Sequence, residues 1–161
     1  MIPVNTPLLD GNEAKYLSEC IETGWISSEG PFVGKFEQAF AKQVGRRQGV
    51  ACANGSGALD IAVAAAGIGP GDEVIMPTFT IISPAASVVR AGGVPVLVDS
   101  DPMTWNMDVD QIEAKITDNT RAILVVHIYG LAVDMDPVID IARRHNLIVI
   151  EDAAEMHGQT Y

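Results

Sequence analysis

Asp152 is the residue whose type and position point most directly to chemistry. It follows a run of apolar residues, 147–150, that predicts a short buried strand, and it comes directly after Glu151. Open α/β sheets hold ligands at the carboxyl ends of their parallel strands, where this carboxylate would lie. A carboxylate there could keep a proton on a ring nitrogen of a ligand through a charge-assisted hydrogen bond. The alternative is a helix N-cap for the segment that begins at Ala153.

The turn Asn-Gly-Ser-Gly at residues 54–57 is the second candidate feature. Glycines such as Gly57 let the backbone approach a ligand, and the amides at a helix start favour an anion such as phosphate. Ser56 would either cap the helix or donate its hydroxyl to that phosphate. The turn has no P-loop lysine, and Asp60 stands where the dinucleotide fingerprint has its third glycine. A phosphate site and a simple capped turn both stay open.

The stretch Pro-Thr-Phe-Thr-Ile at residues 77–81 is the third. Pro77 ends a strand, so the chain turns at the same edge of the sheet as the glycine turn. Its side chains could cover a flat ring, or they could be a core aromatic and a capping threonine. A phosphate on a glycine turn, a covered ring and an aspartate on the ring nitrogen together fit pyridoxal phosphate (PLP), whose pyridinium is an electron sink.

Alternating strands and helices must position these residues. The pattern calls for a mostly parallel sheet with right-handed crossovers and helices on both faces, a three-layer α/β fold. We predict strands at residues 49–53, 73–76, 94–98, 122–126 and 147–150, and helices at 58–66, 81–91, 110–116 and 137–145.

Two further helices are predicted before the sheet. The first covers residues 11–23 and is stopped by Gly24. The second carries an apolar stripe at helical spacing, which predicts core packing rather than a cofactor site. The stripe consists of Phe32, Phe36, Phe40 and Val44.

The composition bounds the class of protein. The 161 residues are 48% hydrophobic, which permits a sizeable core, and 21 acidic against 10 basic residues give a net charge of −11 that disfavours nucleic acid and anionic membranes. Cys20 and Cys52 lack metal or disulfide spacing. No apolar run reaches the roughly 18 residues of a membrane span, and no signal peptide is evident, so a cytoplasmic protein is expected.

The chain resembles the DegT/DnrJ/EryC1/StrS family of sugar aminotransferases, which have the fold of aspartate aminotransferase. The resemblance covers essentially the whole chain, and the segments 25–28, 134–137 and 151–155 are most similar to the perosamine-forming members. The motifs that carry it are Gly-Trp-Ile-Ser-Ser at 24–28, Asn-Gly-Ser-Gly-Ala-Leu at 54–59, Gly-Ile-Gly-Pro-Gly-Asp-Glu-Val-Ile at 67–75, Pro-Thr-Phe-Thr at 77–80, Val-Asp at 98–99, Val-His-Ile-Tyr-Gly at 126–130 and Ile-Glu-Asp-Ala-Ala-Glu at 150–155.

The resemblance implies an amino transfer, with glutamate as donor, onto the keto carbon of a nucleotide-linked 4-keto-6-deoxy sugar. It implies PLP as the cofactor and a homodimer. Ser56 and Gly57 would bind the phosphate, Asp152 would pair with the pyridine nitrogen, and Glu155 would lie near the phenolic oxygen. Many members have an aromatic residue over the ring where this chain has Ile81, so either Ile81 or Phe79 covers it.

The Schiff-base lysine of this family lies in a segment expected beyond Tyr161. Residues 1–161 therefore correspond to the N-terminal part of the PLP-binding large domain, without that lysine or the small domain, and are expected to be inactive alone. His157 is tempting as a base, but a lone His near a helix start is more often structural. Two alternatives remain: a half domain that lacks the Schiff-base lysine and binds a partner, or a dehydratase that uses pyridoxamine phosphate (PMP).

Overall fold

The computed structural model describes residues 2–3 and 6–159 and divides the chain into two compact units, at residues 1–51 and 52–161. Thr160 and Tyr161, at the end from which the lysine-bearing segment is expected to continue, lie outside the described residues. So do Met1, Val4 and Asn5 of the stretch inspected for a signal peptide.

The second unit is built on a four-stranded sheet. Its strands are β1 (Glu73–Pro77), β2 (Val94–Val98), β3 (Thr120–Val126) and β4 (Ile148–Asp152). They lie in the order β2-β1-β3-β4, and every pair is parallel. The prediction of a parallel sheet is therefore confirmed, and β4 extends two residues beyond the predicted 147–150 to include Asp152.

Helices cover both faces of this sheet, as predicted. They are α3 (Gly55–Ala65), α4 (Ile82–Arg90) and α5 (Met135–His145), numbered after the two helices of the first unit. Alternate residues of each strand face opposite sides. In β3, Leu124 packs into the core under α3 and α4, whereas Ile123 and Val125 pack into the core under α5.

Two of the predicted elements do not form. Residues 49–53 are not a strand, because the Ala51 amide donates to Glu37 Oε1 (2.8 Å) and not to a neighbouring strand. The predicted helix at 110–116 is two 3-10 turns, Val109–Gln111 and Glu113–Lys115. Asp108 accepts a hydrogen bond from the Asp110 amide (3.2 Å), and such local side-chain bonds compete with a regular helix.

The first unit contains α1 (Glu13–Thr23) and α2 (Pro31–Gln43), both predicted. Gly24 ends α1 with φ of 75°, the left-handed conformation that glycine adopts at helix ends. The prediction that the phenylalanine stripe is core was wrong. Phe36 is 56% exposed, and the only buried residue of α2 is Ala41, although Phe32 packs against Tyr16 of α1 with ring centroids 5.2 Å apart.

Candidate active site

The carboxyl ends of the strands gather the candidate residues of the second unit at one edge of the sheet. Asp152 is the last residue of β4 and is half-buried. Its Oδ1 accepts a hydrogen bond from the Ala154 amide (3.2 Å). Residues 153–158 form turns and not a helix, so Asp152 is not a helix cap.

The pleat of β4 decides which way Asp152 faces. Ile150 belongs to the core under α3 and α4, and Asp152, two residues later, lies on the same face of the strand. Val149 packs against the core under α5, which places Glu151 on that opposite face. The two adjacent carboxylates therefore lie on opposite faces of the sheet.

The predicted phosphate turn lies at the start of α3. Asn54 is the N-cap, since its Oδ1 accepts from the Gly57 amide (2.9 Å), so the interpretation of Ser56 as the cap was wrong. Ser56 lies inside the first turn, and its Oγ shares a hydrogen bond with Ser83 Oγ (2.8 Å) in the first turn of α4. Two helix starts and two hydroxyls thus meet, an arrangement suited to an anion.

Ile81 and Phe79, the two candidates for covering the ring, have different surroundings in this structure. Ile81 is the N-cap residue of α4, two positions before Ser83, and is 63% exposed. Phe79 instead packs its ring against Trp105, with centroids 5.2 Å apart, and against Tyr129 at 6.5 Å. These three aromatic rings line a cavity of about 420 Å³.

Glu155 holds the loop that follows β3. Its Oε2 accepts a hydrogen bond from the Tyr129 amide (2.8 Å). Tyr129 has φ of 49°, a conformation that a non-glycine residue rarely adopts, and this bond helps to hold it there. His157 lies in an exposed turn, and no helix begins near it up to residue 159, the last described residue.

His127 is the residue at this edge that the sequence analysis did not single out. It directly follows β3, is buried, and its Nε2 lies 3.0 Å from Glu151 Oε1. A histidine that ends a buried apolar strand, with an acidic pair ending another, was the available signal. Within the described residues, no group of His, Cys, Asp and Glu could hold a metal ion, and no helix is long and apolar enough to cross a membrane.

This α/β architecture, with a parallel sheet and polar groups at its carboxyl edge, is that of PLP-dependent sugar aminotransferases. The aminotransferase from Psychrobacter cryohalolentis aligns with a TM-score of 0.89 and 38% identity over 99% of this chain and 41% of that one. The structure of ntda from Bacillus subtilis, solved with bound cofactor PMP, aligns with a TM-score of 0.86 and 39% identity over 91% of this chain and 34% of that one.

The chain belongs to the DegT/DnrJ/EryC1/StrS aminotransferase family, whose profile matches residues 7–161. GDP-perosamine synthase of Caulobacter vibrioides is 56% identical over 160 residues, which are 99% of this chain and 43% of that protein. The chain thus spans less than half the length of this curated relative.

Proposed function

We propose that these residues belong to a PLP-dependent aminotransferase that acts on a nucleotide-linked 4-keto-6-deoxy sugar of the perosamine type, with glutamate as amino donor. Support comes from the similarity to a GDP-perosamine synthase across almost the whole chain. A homodimer and a cytoplasmic location are part of the same proposal. Residues 1–161 supply the first part of the large domain.

The observation that carries this proposal is the placement of Asp152 on the face of β4 that is covered by α3 and α4. The Ser56 and Ser83 hydroxyls lie at the first turns of those two helices. Among the described residues, Asp152 Oδ2 has no hydrogen-bond partner. An acceptor for a ring N–H and a cluster of donors for a phosphate are the groups that PLP requires, so the residues present fit it.

Each of these side chains has a distinct role toward the cofactor. The Asp152 carboxylate keeps the proton on the pyridine nitrogen, which lets the bound cofactor act as an electron sink. The Ser56 hydroxyl binds the phosphate at the start of α3, and Gly57, which has no side chain, lets the phosphate approach the backbone there. Ile81, exposed at the start of α4, covers the ring, because Phe79 is already packed against Trp105. Glu155 lies beside the phenolic oxygen while its Oε2 accepts from the Tyr129 amide.

The nucleophilic lysine of the reaction belongs to a segment outside residues 1–161. The chain has four lysines: three on α1 and α2, and Lys115 in the turns before β3. Lys115 precedes the amino end of β3 and therefore lies at the edge of the sheet opposite to Asp152. Alone, these residues would bind and orient the cofactor without completing the transfer.

The test is to incubate the full-length protein with PLP, glutamate and GDP-4-keto-6-deoxymannose, and to identify the products by mass spectrometry. We expect an amino group in place of the keto oxygen and one 2-oxoglutarate for each amino sugar. A product that has lost a hydroxyl group without gaining nitrogen would indicate a dehydratase. Failure of the full-length protein to bind PLP would argue against both enzymes and leave a protein with a binding role.

A further inference from the structure

The end of β4 presents two consecutive carboxylates, and only one of them can face the helices α3 and α4. Because side chains alternate along a strand, a shift of one residue would exchange Glu151 for Asp152 on that face. The two side chains differ by one methylene group, so charge alone does not select between them. A side-chain contact can therefore add to the backbone pairing of β3 and β4 in fixing which of the two faces the site.

His127 makes that contact through its imidazole. The ring is fully buried, and its Nδ1 accepts a hydrogen bond from the Val133 amide (3.1 Å). Nδ1 therefore carries no proton, and the neutral ring has its proton on Nε2. Nε2 donates to Glu151 Oε1 at 3.0 Å, on the face of the sheet that is covered by α5.

The backbone of His127 holds the other carboxylate residue. Its amide donates to the Asp152 carbonyl (3.1 Å), one step beyond the paired residues Val126 and Asp152 of β3 and β4. One residue thus fixes the Glu151 side chain on one face and the Asp152 backbone in register. The consequence is that the Asp152 side chain points to the other face.

We propose that His127 is a positioning residue for Asp152, acting through its hydrogen bond to Glu151. The proposal rests on the proposed function, because it gives Asp152 the role of partner to the cofactor nitrogen. A buried, fully hydrogen-bonded polar group specifies one arrangement, since leaving its partners unpaired is costly. Here the specified arrangement is the register of the last two residues of β4.

The test compares Glu151→Leu, which removes the acceptor, with Glu151→Gln, which keeps an oxygen for Nε2–H. The first readout needs no cofactor: the exchange rate of the His127 amide proton in the full-length protein, measured by NMR. The second readout is the Kd for PLP, measured by absorbance. His145→Phe is the control, since His145 pairs with Glu113 at 2.9 Å on the exposed surface of α5.

We expect Glu151→Leu to speed amide exchange and weaken PLP binding by about tenfold each, the factor that belongs to one hydrogen bond with a charged group. Glu151→Gln should restore most of both losses, and His145→Phe should change neither. His127→Phe should repeat the loss, and combining it with Glu151→Leu should add little, because the two residues share one bond.

Equal exchange rates and equal Kd values in the Leu and Gln variants would overturn the positioning role. If Glu151→Leu is too unstable to measure, His127→Phe with unchanged amide exchange would overturn it as well. A wild-type protein that does not bind PLP would instead refute the proposed function, while the exchange rates would still report on the register of β4.

Discussion

At the residue scale, one carboxylate oxygen of Asp152 is held by a backbone amide, and the other has no hydrogen-bond partner among the described residues. Its Oδ1 accepts from the Ala154 amide. Replacement by asparagine keeps this acceptor and the shape of the side chain but removes the charge that holds a proton on a ring nitrogen.

We therefore expect Asp152→Asn in the full-length protein to lower kcat by at least about 100-fold, since a neutral partner no longer favours the protonated ring. The melting temperature should stay near that of the wild type. Asp99→Asn, which alters another carboxylate at the same edge, just after β2, is the matched control and should retain activity. Retained turnover in Asp152→Asn would refute the assigned role.

Glu113 gives a second expectation at this scale. Its pKa is lowered from 4.5 to about 2, first by the hydrogen bond from Arg144 and then by that from His145. A carboxyl group with a lowered pKa stabilises the fold above its unfolded value, and this contribution is lost as the pH falls toward the folded value. The ion pair joins the turn Glu113–Lys115 to α5.

The free energy of unfolding of Glu113→Gln should accordingly lie below that of the wild type above pH 4.5, and the gap should close as the pH falls toward about 2. Urea unfolding across this pH range measures the gap. Glu22→Gln on α1 removes one surface charge and serves as control. A gap that widens in acid would contradict the pairing.

At the element scale, α3 depends on its N-cap for the start that carries Ser56. Asn54→Ala should cost about 1 kcal/mol in the free energy of unfolding, because the Gly57 amide loses its acceptor. Asn54→Asp retains an acceptor and should lie close to the wild type. Urea denaturation distinguishes the two, and equal losses would mean that the cap contributes nothing.

The connection between α4 and β2 is another element with little freedom. A Cβ at Gly93 would lie 2.8 Å from Ile68 Cγ2 and 3.2 Å from the Asp72 carbonyl oxygen. We expect Gly93→Ala to destabilise by about 1–3 kcal/mol through overpacking. Gly34→Ala on α2 meets nothing within 4 Å and should be neutral or stabilising, since alanine favours a helix. Thermal melts of the two variants give the comparison.

At the scale of the whole molecule, the first unit exposes an unusual amount of apolar surface. Leu17 and Ile21 of α1 are 66% and 74% exposed, and Phe36 of α2 is 56% exposed. Large exposed apolar patches mark surfaces that associate with other protein. The chain spans less than half the length of GDP-perosamine synthase of Caulobacter vibrioides, and we propose that other protein covers this surface in a chain of that length.

Residues 1–161 expressed alone should therefore self-associate as their concentration rises, as measured by sedimentation velocity. Phe36→Asp should reduce this association, whereas Gln38→Asp, which adds the same charge to α2 without removing apolar surface, should reduce it less. A monodisperse monomer at all concentrations would contradict the interpretation of this surface.

The sequence by itself determined the parallel sheet, the helices α1 to α5 and the placement of Ser56, Ile81 and Asp152 at helix and strand ends. Apolar runs and glycine stops are local signals, so local physics suffices to interpret them. The strand predicted at residues 49–53 does not form, for a physical reason. Residues 49–53 have the composition of a strand, but a strand needs a partner, and the Ala51 amide found Glu37 instead.

Only the tertiary structure decided which contacts the side chains at these helix and strand ends make. The pleat of β4 separates Glu151 from Asp152, Asn54 displaces Ser56 as the cap of α3, and Ser83 reaches Ser56 from a different helix. His127 was not recognised as a candidate site residue from the sequence, because its hydrogen-bond partners lie 6 and 24 positions along the chain. Such contacts depend on strand register and on which face of the sheet each helix covers. Neither can be predicted from a local pattern of residues in the sequence.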